Sequence, residues 1–482
     1  MNAAKLLRQK ILDLAIRGKL TNREKGDEPA AELLARIAAE KQKLIAAKKI
    51  KKERPLPPIT DGEVAYEIPK DWVWSRLGNI GNWKAGATPS RHHAEYYLHG
   101  KIPWLKTGDL NDGYVTSIPE FITKAGLGST PAVVNPAGTV LMAMYGATIG
   151  KLGILKLEAA TNQACCACDL MGIVEGRYLF YYLMSQRECF RELGGGGAQP
   201  NISKDIIVRH PIPLPPIAEQ RRIVSRVDEL FAEVDKYSAA MDALASSSEM
   251  MEKKVLDLAI RGKLTKREKG DEPAAQIIEK IVADKANRVA KKLIRKEKFL
   301  PPIRPDDEPF DLPRGWVWCR FGEICAYGQC EVVSFSGLPK NTWALDLEEI
   351  EKGTGRLIER KLVKDKQATS GKHLFKKGML LYSKLRTYLN KVLIADQDGV
   401  CTSEIIPIDF RGFVDVAYAR VVLMSSYFLS YTASKDYGVK MPRVSTDDMR
   451  MAAFPLPPLS EQKRIVARVD ELLAECRKMR GE

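Results

Sequence analysis

Leu12-Asp13-Leu14-Ala15-Ile16-Arg17-Gly18-Lys19-Leu20-Thr21 near the start of the chain returns unchanged as Leu256-Asp257-Leu258-Ala259-Ile260-Arg261-Gly262-Lys263-Leu264-Thr265, an offset of 244 (256 − 12). After one mismatch, Asn22 against Lys266, the identity resumes and runs to Ala31 and Ala275. A second frame, Pro213-Leu214-Pro215-Pro216 with Glu219-Gln220, recurs as Pro455-Leu456-Pro457-Pro458 with Glu461-Gln462 at an offset of 242 (455 − 213). Internal repetition governs how every local motif is read. Between the frames, residues 90–200 and 330–440 scarcely resemble each other. One scaffold therefore carries two different inserts.

The apolar residues after the first Pro-Leu-Pro-Pro frame fall at Ile223, Val227, Leu230, Val234, Tyr237, Met241, Leu244, Met251, Val255 and Leu258, with Ser248 the one polar residue in the series. Steps of four and three are the 3.5-residue period of a coiled-coil seam. They predict one helix over residues 219–260, about 63 Å long at 1.5 Å per residue. Its partners come from the repeat. Leu7, Ile11 and Leu14 match Met251, Val255 and Leu258, while Ile465, Val469, Leu472, Cys476 and Met479 match Ile223 to Tyr237. A pseudo-two-fold arrangement then pairs residues 3–17 with 219–243 and residues 461–480 with 245–260, each pair antiparallel. An intermolecular coiled coil is the plainer alternative.

The remaining organisation follows the same repeat. Gly18 and Gly262 break the short helices, and Asp27-Glu28-Pro29 and Asp271-Glu272-Pro273 predict new helices with an Asp cap and Pro in the first turn. Ile68-Pro69 with Trp72-Val73-Trp74 and Leu312-Pro313 with Trp316-Val317-Trp318 open the two inserts. Short apolar runs at 139–143 and 379–382 predict strands and residues 176–188 a helix, giving α+β folding with mixed globular domains. The expected boundaries are 1–55 (helical repeat), 56–215 (first globular domain), 216–299 (central helical region), 300–457 (second globular domain) and 458–482 (C-terminal helix).

The 482 residues carry 76 Lys and Arg against 61 Asp and Glu, a net charge of +15. Residues 41–54 and their copy 285–298 each hold seven cations against a single glutamate, which points to a polyanionic partner. Solvated helix ends are the bland reading of either strip alone. No run approaches the roughly 20 apolar residues of a membrane span, and no signal peptide is visible, so a cytoplasmic address without membrane contact is expected. Nine irregularly spaced cysteines, with Cys165-Cys166-Ala167-Cys168 the densest group, lack the paired spacing of a zinc site and read as reduced structural thiols.

The Pro-Leu-Pro-Pro-x-x-Glu-Gln frame leading into a coiled coil, the duplicated Ala-Ile-Arg-Gly-Lys-Leu-Thr block and the two divergent inserts together resemble the specificity subunit of type I restriction-modification systems. The resemblance covers essentially the whole chain and rests on the order and duplication of its motifs. It implies two target recognition domains reading a bipartite, gapped sequence in double-stranded DNA. It also implies two methyltransferase subunits acting on adenine N6 and a motor/endonuclease subunit, with S-adenosylmethionine, ATP and Mg bound by those partners and no cofactor on this chain. Two different readers about one helical turn apart would take two unrelated half-sites.

Candidate DNA-contacting residues lie in matched segments. Aligning Gly138 with Gly378, an offset of 240 (378 − 138), pairs residues 142–151 with 382–391. Tyr145, Thr148 and Lys151 are the candidates in the first; in the second they are Tyr382, Ser383, Lys384, Arg386, Tyr388 and Lys391, with Lys384, Arg386 and Tyr388 alternating as on an extended strand. Just before each exit, Pro200 to Asp205 matches Pro442 to Asp447. There Gln199, Asn201, Ser203 and Lys204 offer amide and cationic chemistry, as do Lys440, Arg443 and Ser445 in the copy, with Ser203 and Ser445 placed to cap short helices. Trp104, Lys106 and Thr107 form a weaker patch. A solvated turn or a loop closure explains any one of these residues equally well.

The chain contains no Gly-x4-Gly-Lys-Ser/Thr loop, no Asn-Pro-Pro-Tyr/Phe motif and no nuclease carboxylate-lysine set. A non-catalytic DNA reader is therefore expected, with catalysis on its partners. The alternative is a structural scaffold that binds nucleic acid nonspecifically through the strips and proteins through its globular domains.

Overall fold

The computed structural model describes residues 3–22, 24–195, 200–367, 370–438 and 440–480. It divides into two compact units, Met1–Ala240 and Met241–Glu482. Each is built the same way.

In the first unit the helix Ala3–Ile16 packs antiparallel to the leading part of the 44-residue helix Ile217–Ile260. The direction follows from two contacts, Thr21 with Glu219 at one end and Arg8 with Asp235 at the other. Leu12, Ala15 and Ile16 enter a core with Ile223 and Val227. In the second unit the C-terminal helix Leu459–Met479 lies antiparallel to the trailing part of the long helix, with Thr265 bonded to Glu461 and Ser248 Oγ donating to the Cys476 carbonyl at 2.8 Å. The lone polar residue of the seam thus has a partner.

The seam is covered over only part of its length. Ile223, Val227, Val234, Ser248 and Val255 are buried, whereas Tyr237, Met241, Leu244 and Met251 are exposed, as are Leu7 and Met479 on the short helices.

Gly18 follows the helix Ala3–Ile16 and Gly262 the long helix Ile217–Ile260, with φ of +63° and +62°. A Cβ at either would come within 2.4 Å of Pro69 or Pro313 Cγ, so the block's glycine and the Ile-Pro or Leu-Pro signature are one contact. The next helices, Ala30–Ala46 and Ala274–Ala290, depart from the expected capping. Pro29 and Pro273 occupy the N-cap positions with no side-chain cap. Asp27 and Asp271 instead accept from the Glu24 and Glu268 backbone N–H groups and pair with Arg222 and Arg464 on the paired helices. A charge-assisted bond across the unit has displaced a local cap.

The opening strands Val73–Arg76 and Val317–Arg320 pair antiparallel with the closing strands Pro211–Leu214 and Ala453–Leu456. Each insert therefore leaves and rejoins the frame at one point. Buried Arg76 donates to the carbonyls of Pro57, Pro58 and Arg209 and to Glu63; buried Arg320 donates to Pro301, Pro302 and Met451 and to Asp307. The repeated Leu-Pro-Pro segments are held by these guanidinium groups.

The first insert holds a five-stranded sheet in the order Asn82–Ala85, Cys165–Asp169, Val140–Ala143, Leu152–Leu155, Gly113–Val115. Its pairs are antiparallel except the last. Cys165, Cys166 and Cys168 lie buried in the second of these strands, where burial pushes their thiols up. The second insert holds a four-stranded sheet and the antiparallel set Val392–Ile394, Leu380–Ser383, Ile405–Ile408.

Candidate functional site

Two hairpins project the candidate residues. Val140–Ala143 and Leu152–Leu155 pair antiparallel, leaving 144–151 as a tip; Leu380–Ser383 and Val392–Ile394 leave 384–391 as its copy. Each tip contains a single 3₁₀ turn, Gly146–Thr148 or Thr387–Leu389. Lys384, Arg386 and Tyr388 therefore sit on a turn rather than an extended strand, although Arg386 and Tyr388 still face solvent.

The structure joins segments that the sequence presents separately. Gly146 N donates to Pro200 O at 2.8 Å and Ile202 N to Met144 O at 2.9 Å; in the copy Arg386 N donates to Pro442 O at 2.8 Å and Val444 N to Lys384 O at 3.1 Å. Tyr145 faces Asn201 in one isolated bridge and Leu385 faces Arg443 in the other. Each unit thus holds hairpin tip and closing loop as one surface. Ser203 and Ser445 accept from the Ile206 and Asp448 backbone N–H groups, capping the helices Lys204–Arg209 and Thr446–Met451 that anchor the closing loops.

Conformation is matched even where residues are not. Gly146 and Gly150 have φ of +61° and +78°, and Arg386 and Asn390 at the same places have φ of +50°. An arginine in the left-handed region costs on the order of 1 kcal/mol that glycine does not. The second unit accepts that cost and gains an exposed cation.

The candidates divide clearly by environment. Tyr145, Asn201, Arg386, Tyr388 and Lys440 are exposed, and Thr148, Lys151, Lys384 and Arg443 are partly so. Thr148 Oγ1 donates back to the Tyr145 carbonyl at 2.7 Å. Lys204 is paired with Glu53 of the first basic strip at 2.6 Å. Tyr382 and Ser383 are buried strand residues, with Tyr382 hydroxyl ionisation opposed by burial, and they correct the expectation of a contact role. Lys391 donates to the Leu347 carbonyl at 2.5 Å and burial lowers its pKa, so it braces the hairpin. Trp104 is buried, whereas Lys106, ion-paired with Glu120, and Thr107, at the start of a 3₁₀ turn, stay partly exposed. Gln199 lies outside the described residues.

Residues that sequence reasoning missed surround Arg443. Glu404 accepts from its Nε at 3.0 Å and its Nη2 at 2.9 Å, and exposed Tyr437 exchanges backbone bonds with it in both directions. Glu404 stands where the first unit has Ala164, so the repeat gave no sign of it.

The basic strips prove to be mixed in role. Lys41 Nζ donates to Gly78 O at 2.6 Å and Lys285 Nζ to Gly322 O at 2.5 Å, structural bonds repeated at the same offset as the frame. Lys48, Lys49, Lys51, Lys52 and Arg54 stay exposed in the first strip, as do Lys291, Lys292, Arg295, Lys296 and Lys298 in the second. Among the described residues, no group of three or more His, Cys, Asp or Glu could hold a metal ion, and no helix is long and apolar enough to cross a membrane.

The profile of the type I restriction modification DNA specificity domain matches this chain twice, at residues 69–238 and 313–480. The chain belongs to that family and is built as a type I specificity subunit. It is 27% identical to the type I restriction enzyme EcoAI specificity subunit of Escherichia coli, over 99% of this chain and 90% of that one. Identity to the EcoEI specificity subunit of Escherichia coli is 25% over the same shares. A chain from a structure of type I restriction-modification complex assembly and conformational transition superposes with a TM-score of 0.59 at 18% identity, covering 86% of this chain and 93% of that one. The HsdS subunit of Thermoanaerobacter tengcongensis gives a TM-score of 0.50 at 18% identity over the same shares. These likenesses place the α+β, twice-repeated fold among specificity subunits. DNA recognition follows from the family.

Proposed function

We propose that the chain reads a bipartite, asymmetric DNA sequence with an unspecified gap, one half-site per unit, and that it holds two methyltransferase subunits over that target for adenine N6 methylation. A motor/endonuclease subunit would act on unmodified sites. S-adenosylmethionine, ATP and Mg belong to those partners in this reading, and the work of this chain is recognition and positioning in the cytoplasm. The observation that carries it is the paired hairpin tip and closing loop, hydrogen-bonded alike in both units yet bearing Tyr145 and Asn201 in one and Arg386, Tyr388 and Arg443 in the other. Equal backbones with unequal polar side chains suit two half-sites of unrelated sequence.

The exposed cations of the two strips favour a second, sequence-independent component. They would attract phosphates and release counterions whatever the bases. A scaffold that binds nucleic acid only through the strips would show this component alone.

The test is to express the chain with its neighbouring methyltransferase and map N6-methyladenine across a genome. A two-part motif that disappears when this chain is deleted supports the reading. Methylation independent of the chain, or without a motif, refutes it. Exchanging residues 316–455 for those of a relative should then change one half-site only.

A further inference from the structure

The contacts of Arg443 carry an inference that rests on the DNA-reading function and adds a base to it. A guanidinium has five N–H groups. The Nε–H of Arg443 is shared between both Glu404 carboxylate oxygens at 3.2 and 3.0 Å, one Nη2–H goes to Glu404 Oε1 at 2.9 Å, and one Nη1–H goes to the Met441 carbonyl at 3.1 Å. One N–H on each terminal nitrogen remains. The side chain is about one-third exposed and that of its Glu404 partner about one-quarter, so the ion pair leaves part of the guanidinium open to solvent.

The surroundings suit a nucleic-acid surface. Tyr388, Tyr437 and Met441 are exposed, and the exposed cations Arg386 and Lys440 flank them, with Arg386 Nη2 donating to the Lys440 carbonyl at 3.3 Å. Aromatic faces interleaved with cations stack on sugars and bases and meet phosphates. Arg386 keeps its side chain in a left-handed conformation for which the first unit uses Gly146. Strain of this kind collects at functional positions.

We propose that Arg443 is the guanine-reading residue of the second unit, with Glu404 a positioning residue that clamps one edge of the guanidinium so that its free donors meet guanine O6 and N7. Bidentate Arg to guanine is the commonest specific contact in the major groove. A carboxylate on the other edge limits the rotamers lost on binding and prevents the arginine from turning to a phosphate. The first unit has Asn201 at this place and no carboxylate behind it, because Ala164 occupies the position of Glu404. Its amide carries the donor and acceptor that adenine requires. The two half-sites then differ at one structurally equivalent base pair.

The test uses the full chain in complex with its methyltransferase, with methylated motifs mapped for the unaltered protein and for Arg443→Gln, Arg443→Lys and Glu404→Gln. In Arg443→Gln and Arg443→Lys, a single G·C position of the second half-site should lose its requirement by about 5- to 150-fold, while the first half-site stays intact. Glu404→Gln keeps the shape of the side chain and should relax the same position to a smaller degree. A uniform fall at every position of both half-sites would make Arg443 a phosphate contact and overturn the assignment. Relaxation at an A·T pair, or an unchanged motif in all three variants, would overturn it as well. If Arg443→Gln fails to assemble, the lysine and Glu404 variants decide the question. Absence of any two-part motif in the unaltered complex would instead refute the proposed function.

Discussion

Glu461 should be among the most sensitive single positions in the second unit. Its residue is 1% exposed, yet both carboxylate oxygens are used: Oε2 accepts from Trp316 Nε1 at 3.0 Å and Oε1 from Thr265 Oγ1 at 3.1 Å. Three sequence blocks separated along the chain therefore converge on one side chain. A hydrogen bond to a charged group contributes about 1.5–3 kcal/mol, and a buried donor left without a partner costs about 1–3 kcal/mol. Glu461→Ala orphans the indole N–H, which has no other outlet, and should destabilise the unit by about 3–5 kcal/mol. Glu461→Gln can turn its carbonyl to the indole and its amide to the threonine oxygen, which is able to accept, so only charge assistance is lost, about 1–2 kcal/mol.

The assay is urea unfolding followed by far-ultraviolet circular dichroism, with Trp316→Phe and the double variant Trp316→Phe/Glu461→Ala completing a cycle. The coupling energy should exceed about 1 kcal/mol, since Trp316→Phe and Glu461→Ala each break the same bond. In the first unit Trp72 Nε1 donates to Glu219 Oε2 at 2.9 Å and Thr21 Oγ1 to Oε1 at 3.2 Å, so Glu219→Ala should cost about the same. Equal effects for Glu461→Ala and Glu461→Gln, or a coupling near zero, would refute the reasoning. The carboxylate would then be replaceable packing.

Gly262→Ala places a Cβ within 2.4 Å of Pro313 Cγ at φ +62°, and about 2–4 kcal/mol of lost stability should appear as a lower urea midpoint; an unchanged midpoint would deny that the helix end and the Leu-Pro signature are one contact. His210 packs on Phe190 with ring centroids 4.6 Å apart, and burial, reinforced by the Arg76 charge, lowers its pKa from 6.5 to about 4. Above pH 6.5 the ring is neutral folded or unfolded; as pH falls from 6.5 towards 4 only the unfolded chain takes up the proton, so stability is lost in that window. The loss should reach about 1–2 kcal/mol by pH 5 and be smaller in His210→Gln, measured as the pH dependence of the unfolding midpoint. Replacing Lys48, Lys49, Lys51 and Lys52 together by Gln should weaken binding to any duplex and reduce the slope of log K against log salt by up to about 0.9 per lost phosphate contact. A changed half-site in that variant would remove the strips from the sequence-independent role.

The frame was legible because repetition marks residues that share contacts. The invariant glycine, the Pro-Leu-Pro-Pro-x-x-Glu-Gln frame and the Trp-Val-Trp strand recur because Glu461 touches Trp316 and Thr265, Gln462 accepts from Asp415 N and donates to Pro457 O, and Gly262 abuts Pro313. Local rules failed where a distant charge intervened. Asp27 and Asp271 have the sequence form of caps, but Arg222 and Arg464 draw them across the unit. Buried Arg76 and Arg320 went unread although they recur at the frame's offset; a matched charge directly after an apolar strand was the available signal. For the candidate surface, aligning the two halves marked the hairpin tip and the closing loop as separate stretches. Their union depends on backbone bonds between residues such as Gly146 and Pro200, which no local pattern encodes. Glu404 was invisible for a different reason. Comparing the halves finds only what both possess.

That blindness says something about how specificity is distributed. The two units hold the tip and closing loop by the same two backbone bonds, so the platform does not depend on the side chains it displays. Left-handed positions occupied by Gly146 and Gly150 in one unit accept Arg386 and Asn390 in the other, so the backbone tolerates new chemistry at a local cost near 1 kcal/mol per residue. Display is not free of context, however. Arg443 stands on the closing loop while Glu404 stands just before the strand Ile405–Ile408, and the orientation of one depends on the other. Moving Asn201 and Arg443 between units without Ala164 and Glu404 would transplant a side chain without its aim. If Arg443 and Glu404 act as proposed, the unit to exchange is the hairpin tip, the residue behind it and the closing loop together.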